Sequence, residues 1–157
     1  MFKFILALSL VASAFSTIIY PFNTTNKPLN SSEVTQFTIS DCGDSSDLAQ
    51  NLFLDIDPKL PQTDYTLFLG ADLSKEITKG TSQYDITLNF IPFTPTINDL
   101  CTEISNSNIT CPLQVGHIAS QSKGSIPTGV NGIVVIKNQW FDDSGARILC
   151  MQFKITL

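Results

Sequence analysis

The chain has 157 residues, 43% of them hydrophobic and only 15% charged, with 14 acidic residues against 9 basic ones and a net charge of −5. This balance excludes the basic surface that nucleic acid binding requires, and it is equally poor at holding an anionic membrane by charge alone. A chain of this length can bury one core and still have apolar surface left for a ligand, so we predict one domain.

The first residues have the order of a secretory signal peptide. An apolar run follows Lys3 and ends at Ala12, and the small residues around Ala14 and Ser16 form a cleavage site. The run falls well short of the roughly 20 residues that span a bilayer. We predict that residues 1–16 are a signal peptide and that the mature chain is soluble, secreted or held in the lumen of endosomes or lysosomes.

A polar lead-in precedes the folded part. Residues 21–32 are rich in Asn, Thr and Ser and have no apolar period, so we predict that residues 17–33 are a disordered lead-in or a propeptide and that the domain covers residues 34–157. Three Asn-x-Ser/Thr sequons predict N-glycosylation in a secreted chain. Their acceptors are Asn23, Asn30 and Asn108.

From Val34 onward, apolar and polar residues alternate in short runs, which is typical of strands with one buried and one exposed face. Prolines and glycines separate the runs, and residues 142–145 have the composition of a hairpin turn. Seven or eight short strands without a long amphipathic helix predict an all-β fold of two packed sheets. The predicted strands include residues 36–41, 48–57, 65–73, 84–90, 113–126, 133–140 and 149–157.

Four cysteines behind a leader predict disulfides, and four cysteines allow three pairings. Cys101 and Cys111 flank a polar loop, so we pair them as the staple of a hairpin. This leaves Cys42 with Cys150, which ties the first strand to the last. A zinc site would need closely spaced ligands, and the single His117 is isolated, so we predict no metal.

Residues that carry catalytic chemistry are sparse. His117 is the only histidine, its neighbours predict a strand, and neither a GxSxG elbow nor a CxxC motif is present. The carboxylate pairs Asp55/Asp57 and Asp142/Asp143 fit the polar face of a strand and a turn. We therefore predict a protein that is not an enzyme and that needs no cofactor.

Large apolar side chains are numerous for a sandwich of this size. Either they simply pack a solid core, or the two sheets are splayed and enclose a hydrophobic cavity. The residues concerned are Tyr65, Phe68, Tyr84, Phe90, Phe93, Trp140, Phe141 and Phe153.

The clusters around the cysteines resemble a known family when they are taken in order. They are DCG around Cys42, the turn at residues 78–80, DLC ending at Cys101, CP-x-x-x-G starting at Cys111, and G-x-x-I-x-C ending at Cys150. This order resembles the ML lipid-recognition domain over residues 36–157. The segments 70–80 and 126–129 are similar to those of the secreted phosphatidylglycerol/phosphatidylinositol transfer proteins within that family.

The resemblance implies an immunoglobulin-like β-sandwich of two antiparallel sheets that hold a lipid between them, and it implies the same two disulfides. The chain lacks the extra cysteine pair of the sterol-binding relatives and is shorter than they are between Phe90 and Cys101. Phospholipid is therefore favoured over sterol. We predict a monomer that shields acyl chains, contacts membranes transiently and transfers phosphatidylglycerol or phosphatidylinositol. The alternatives are a sterol carrier of the same family and a secreted recognition module that carries no lipid.

The alternation also predicts which side chains line the cavity, although the solidly apolar run at 133–136 does not say which face is inward. Lys79 or Lys123, near predicted turns, is expected either to meet a phosphate headgroup or to be a solvated surface lysine. The predicted lining is Tyr65, Leu67, Leu69, Tyr84, Ile86, Leu88, Phe90, Ile118, Ile133 and Val135.

Overall fold

The computed structural model describes residues 36–57, 64–126 and 131–157. The predicted signal peptide, the lead-in and the acceptors Asn23 and Asn30 lie outside these residues. The strands are β1 (Gln36–Asp41), β2 (Ala49–Asp57), β3 (Asp64–Leu73), β4 (Gly80–Leu88), β5 (Ile91–Pro92), β6 (Thr96–Asp99), β7 (Gly116–Ser125), β8 (Ile133–Asp142) and β9 (Arg147–Thr156). A short helix, α1 (Leu100–Ile104), continues into a 3-10 turn at Ser105–Ser107.

The strands form two antiparallel sheets, which confirms the predicted all-β sandwich. The larger sheet has the order β1-β9-β8-β4-β5, with β6 also paired to β4, and the smaller sheet has the order β2-β3-β7. The short strands β5 and β6 were not predicted, because prolines interrupt the alternation in this segment. Within the described ranges, no helix is long and apolar enough to cross a membrane.

The two sheets are held together along one side. The backbone of β2 comes close to β1 and β9, whereas no comparable run of close backbone contacts joins β7 to β4, β5 or β6 in the described residues. The Cys42–Cys150 disulfide joins the end of β1 to β9 on the tied side. On that side the 3-10 turn comes close to β7 and α1 comes close to β4. The sandwich therefore has a closed side at β1, β2 and β9, and a less tied side between β7 and β4, where α1 and the 3-10 turn link the two sheets.

The second disulfide, Cys101–Cys111, fixes α1 and the segment that follows it. Asp99 caps the helix, since its side chain accepts a hydrogen bond from the backbone nitrogen of Thr102 at 2.7 Å. Both predicted pairings are thus confirmed. Asn108, the predicted acceptor that lies within the described residues, is exposed just after the 3-10 turn, and its glycosylation stays a prediction.

Phe90 does not face the interior, and its prediction as a lining residue was wrong. β4 ends at Leu88, and Asn89 and Phe90 form a two-residue turn with φ of 49° and 68°. Positive φ at both central residues is the sign pattern of a type I′ hairpin turn. The turn ends the strand alternation two residues early, and the Phe90 side chain is 84% exposed.

We expect the two disulfides to differ in their contribution to stability, because they close loops of different length. Their sequence separations are 108 and 10 residues. The chain-entropy model gives about 5 kcal/mol for the longer loop and about 3 kcal/mol for the shorter one. Urea denaturation of the Cys42→Ala/Cys150→Ala and Cys101→Ala/Cys111→Ala variants measures both losses, and a larger loss for the second pair would contradict the expectation.

We expect Phe90→Gly to stabilise the fold. A bulky residue at positive φ costs about 1–2 kcal/mol, a cost that glycine avoids, while glycine loses about 0.5–1 kcal/mol in chain entropy. The free energy of unfolding should therefore rise, by up to about 1.5 kcal/mol. Phe90→Ala keeps the strained φ and serves as the control, so an equal gain in both variants would mean that backbone strain is not the cause.

Candidate functional site

The interior between the two sheets is lined by alternate residues of each strand. On the larger sheet, β4 and β8 pair so that Ile86 lies opposite Ile136 and Leu88 opposite Val134. Cross-strand partners point to the same face, and all four side chains are at most 9% exposed. Phe153 and Ile155 of β9 continue this face.

Ile133 and Val135 do not line the interior, so their prediction as lining residues was wrong. They are half-buried on the outer face of β8, and their neighbours Val134 and Ile136 occupy the inward positions. A run of four apolar residues has no alternation that distinguishes its faces. The register with β4 determines which residues of β8 point inward, because they lie opposite the inward Ile86 and Leu88.

The smaller sheet supplies the facing wall. Leu67, Leu69 and Ile118 are buried there, as predicted, together with Ile56, which was not predicted. After Ile118, the inward side chains of the edge strand β7 are small. Ser120 and Ser122 lie opposite Leu69 and Leu67 in the register. Two serines fill less of the interior than two aliphatic residues would, so the inward side chains at these positions of β7 are smaller than their partners on β3.

Tyr65 connects the two sheets at the end of the sandwich that is remote from the disulfides. Its ring lies edge-to-face against Phe37 of β1, with centroids 5.2 Å apart. Gly124 of β7 makes room for this ring, because a Cβ atom there would lie 2.5 Å from it. Burial raises the pKa of Tyr65 to about 12, so the phenol is neutral under physiological conditions.

The opposite end of the interior is polar. Tyr84 donates its hydroxyl hydrogen to Oε1 of the buried Glu103 in α1. Oγ of Ser82 lies 3.2 Å from the same oxygen and 3.0 Å from Oδ1 of Asn138, and Nδ2 of Asn98 donates to Oε2 of Glu103 at 3.1 Å. Burial, followed by the nearby Glu103 carboxylate, raises the pKa of Tyr84 well above its usual value.

This network attaches α1 to the inner face of β4. A buried carboxylate is costly unless hydrogen-bond donors surround it, and Glu103 has donors from β4 and β6. Its role was not predicted, although the spacing of Leu100, Glu103 and Ile104 indicates one buried helix face. Nε1 of Trp140 is buried and has no hydrogen-bond partner among the described residues.

The other sequence candidates lie outside the interior. His117 pairs with Asp72, 2.9 Å apart, and both side chains are exposed on the outer face of the smaller sheet. Lys79 and Lys123 are also exposed. Lys79 shares a surface depression of about 520 Å³ with Asp99, Asp142 and other residues. No cluster of three or more potential metal ligands occurs within the described ranges.

Comparison with known proteins shows which family this chain belongs to. The family model described as ML domain matches residues 36–157. The chain belongs to the ML domain family. A curated relative from Dictyostelium discoideum, named "Putative phosphatidylglycerol/phosphatidylinositol transfer protein 3", is 28% identical over 122 residues, which cover 75% of this chain and 79% of the relative. Protein 1 of the same name and organism is 26% identical over the same coverage.

Two solved structures share the fold of this ML domain. Chicken MD-1 in complex with lipid IVa matches with a TM-score of 0.57 and 14% identity, over 76% of this chain and 88% of MD-1. A Niemann-Pick type C2 protein from the Japanese carpenter ant matches with a TM-score of 0.53 and 15% identity, over 74% of this chain and 96% of that protein. The predicted family and fold class are thereby confirmed.

We expect Tyr84→Phe to destabilise this ML domain by about 1–3 kcal/mol, since the change removes a donor from a buried carboxylate. Tyr65→Phe removes the same hydroxyl from a tyrosine outside the Glu103 network and should cost less. Chemical denaturation of both variants gives the comparison. Equal losses would mean that the Glu103 network does not account for the effect.

Proposed function

We propose that this ML domain is a phospholipid carrier that takes up phosphatidylglycerol or phosphatidylinositol and transfers it between membranes. The observation that carries the proposal is the pair of buried apolar sheet faces, built by residues such as Leu67, Leu69, Ile86 and Leu88. Membership of the ML family and the names of the two Dictyostelium relatives support the choice of a lipid and of this lipid class.

The work of such a carrier is to lower a solvation barrier. Each methylene of an acyl chain costs about 0.8 kcal/mol in water, so two bare chains would rarely leave a membrane. An apolar interior offsets most of this cost and makes uptake and release nearly balanced. No covalent bond changes in this transfer, so the mechanism asks for no acid, base or metal.

We place the route of the acyl chains on the less tied side of the sandwich, between β7 and β4. The strands of the two sheets come close along β1, β2 and β9, whereas on the other side α1 and the 3-10 turn link β4 to β7, so we expect an acyl chain to separate the walls on that other side. Ser120 and Ser122 leave more volume there than large side chains would. The ring of Tyr65 at the remote end would then bound the interior.

For the headgroup, we favour Lys123 over Lys79. Lys123 lies on the edge strand β7, beside the proposed route, and faces solvent. Lys79 shares its depression with Asp99, Asp142 and Asp143, whose carboxylates repel a phosphate. We assign the protein to the secretory pathway, since two disulfides persist in oxidising compartments.

The first test is mass spectrometry of lipids extracted from the protein after expression through a secretory route. The expected result is phosphatidylglycerol or phosphatidylinositol at about one molecule per chain. A sterol at about one molecule per chain would mean that the protein is a sterol carrier. A protein that is empty and takes up no lipid from vesicles would refute the proposal and favour a recognition module.

We expect Ile86→Asp to reduce bound lipid at least about tenfold. An acyl chain that covers the inner face would have to remove the new carboxylate from water, which costs much free energy. Val135→Asp is the matched control, since it puts the same charge on the outer face of the same sheet, opposite Lys154. Circular dichroism checks that both variants fold. Equal lipid content in the two variants would exclude this face as the lining.

A second pair tests the interior without burying a charge. Ser122→Phe should fill the space beside Leu67 and displace lipid, whereas Gln121→Phe adds the same ring to the exposed face of β7. Lipid content by mass spectrometry should fall in the first variant alone. Normal content in Ser122→Phe would mean that acyl chains do not lie against β7.

A further inference from the structure

The tip of the β4–β5 hairpin, which consists of Asn89, Phe90 and Ile91, presents a concentrated apolar surface to solvent. Within the described ranges, Phe90 is the most exposed large apolar side chain, at 84%, and Ile91 follows at 66%. The two are adjacent in sequence. Contiguous exposed apolar surface marks protein or membrane interaction sites, whereas single surface hydrophobes are normal.

The tip lies within a long uncharged segment. No Asp, Glu, Lys or Arg occurs in residues 86–98, and Asp85 and Asp99 flank the segment. A charged side chain is expensive inside a bilayer, whereas Phe and Ile gain free energy there. The tip can therefore enter an apolar phase without dehydrating a charge.

The tip is also held in a fixed outward position. The backbone nitrogen of Asn89 donates to the carbonyl oxygen of Ile133 at 2.8 Å, and Oδ1 of Asn89 accepts from the nitrogen of Ile133 at 2.9 Å. Phe90 keeps a φ of 68° in this turn, which is unusual for a bulky residue, and strained positions of this kind cluster at functional sites. Little backbone ordering remains to be done on docking, which lowers its entropic cost.

The tip is continuous with the proposed lipid interior. Ile91 of β5 pairs with Leu88, the last inward residue of β4, so both side chains point to the same face of the sheet. Leu88 is buried at 9% exposure, and Ile91 extends its face into solvent. An apolar path therefore runs from the interior to the outside at this edge.

We propose that the hairpin tip docks on the interfacial region of a phospholipid bilayer, with Phe90 and Ile91 inserted, so that the interior opens against the membrane. The proposal rests on the carrier function proposed above. A protein partner fits less well, because two side chains on a narrow turn bury far less than the roughly 800 Å² per partner of a stable interface. Since the tip is uncharged, docking should persist in high salt.

A tryptophan at the tip reports insertion directly. The emission of Phe90→Trp should shift to shorter wavelength when phosphatidylcholine vesicles containing phosphatidylglycerol are added, and brominated acyl chains should quench it. Trp140 is buried at 5% exposure and gives a constant background. Phe53→Trp is the matched control on the smaller sheet, where Phe53 is 59% exposed. An unshifted Phe90→Trp, or an equal shift in Phe53→Trp, would overturn the proposal.

Removal of the apolar tip tests its contribution to docking. Phe90→Ser/Ile91→Ser should lower the vesicle partition coefficient about tenfold, since even partial burial of two such side chains is worth a factor of this size. Phe53→Ser/Val115→Ser removes one aromatic and one aliphatic side chain of 59% and 63% exposure, and should leave partitioning unchanged. Phe90→Gly, which we expect to stabilise the fold, should also partition less, so instability cannot explain the loss.

Uptake of a short-chain phosphatidylglycerol below its critical micelle concentration separates docking from the carrier function, because this uptake needs no bilayer. The tip variants should bind this lipid as the unmodified protein does. If the unmodified protein binds the short-chain lipid but does not partition into vesicles, the docking proposal fails and the carrier function stands. If it partitions but takes up no lipid of any chain length, the carrier function fails.

Discussion

The fold depends on one constraint, which is that the strands of the two apolar sheets come together directly along one side, at β1, β2 and β9. The segment between β1 and β2 is bound to β9 there by several kinds of contact. The Cys42–Cys150 disulfide is accompanied by a hydrogen bond from the nitrogen of Leu48 to the carbonyl oxygen of Arg147 at 3.0 Å. Nε of Arg147 reaches Oδ1 of the buried Asp47 at 2.6 Å, and its Nη2 reaches Oδ2 of Asp44 at 2.7 Å.

These contacts reinforce one another, because each of them already restricts the motion of the segment between β1 and β2 that the others hold. Hydrogen bonds from Ser46 and Arg147 lower the pKa of Asp44 to about 2, so its carboxylate stays ionised even in an acidic compartment. The ion pair between Asp44 and Arg147 therefore persists at mildly acidic pH.

The opposite side, between β7 and β4, is built differently, and we propose that acyl chains enter the interior there. Among the described strands, β7 pairs with β3 alone and presents Ser120 and Ser122 inward, while the paired strands β4 and β5 are joined by an exposed apolar turn. At the disulfide end, Glu103 and its donors give the interior a polar limit, and at the other end Tyr65 and Phe37 give it an aromatic one. The interior is thus bounded by a polar network at one end, by aromatic rings at the other, and by directly contacting strands along β1, β2 and β9.

Much of this architecture could be predicted from local sequence. Alternation identified the main strands, and it placed Leu67, Leu69, Ile86 and Leu88 on buried faces because a strand with one wet side must alternate. The even cysteine count and the polar loop between Cys101 and Cys111 were sufficient for the disulfide pairing. Order and spacing of the cysteine clusters were sufficient for the family.

Three features depended on contacts between segments that are distant in sequence, and only the tertiary structure decided them. The faces of Val134 and Val135 depend on the register with β4, since a continuous apolar run carries no alternation of its own. The outward position of Phe90 follows from a turn that is fixed by Ile133, 43 residues later in the numbering. Burial of Glu103 follows from the docking of α1 on Ser82 and Tyr84. Sequence alone determined which segments are strands and what joins them, because those properties are local, while the direction in which ambiguous side chains point was set by their partners.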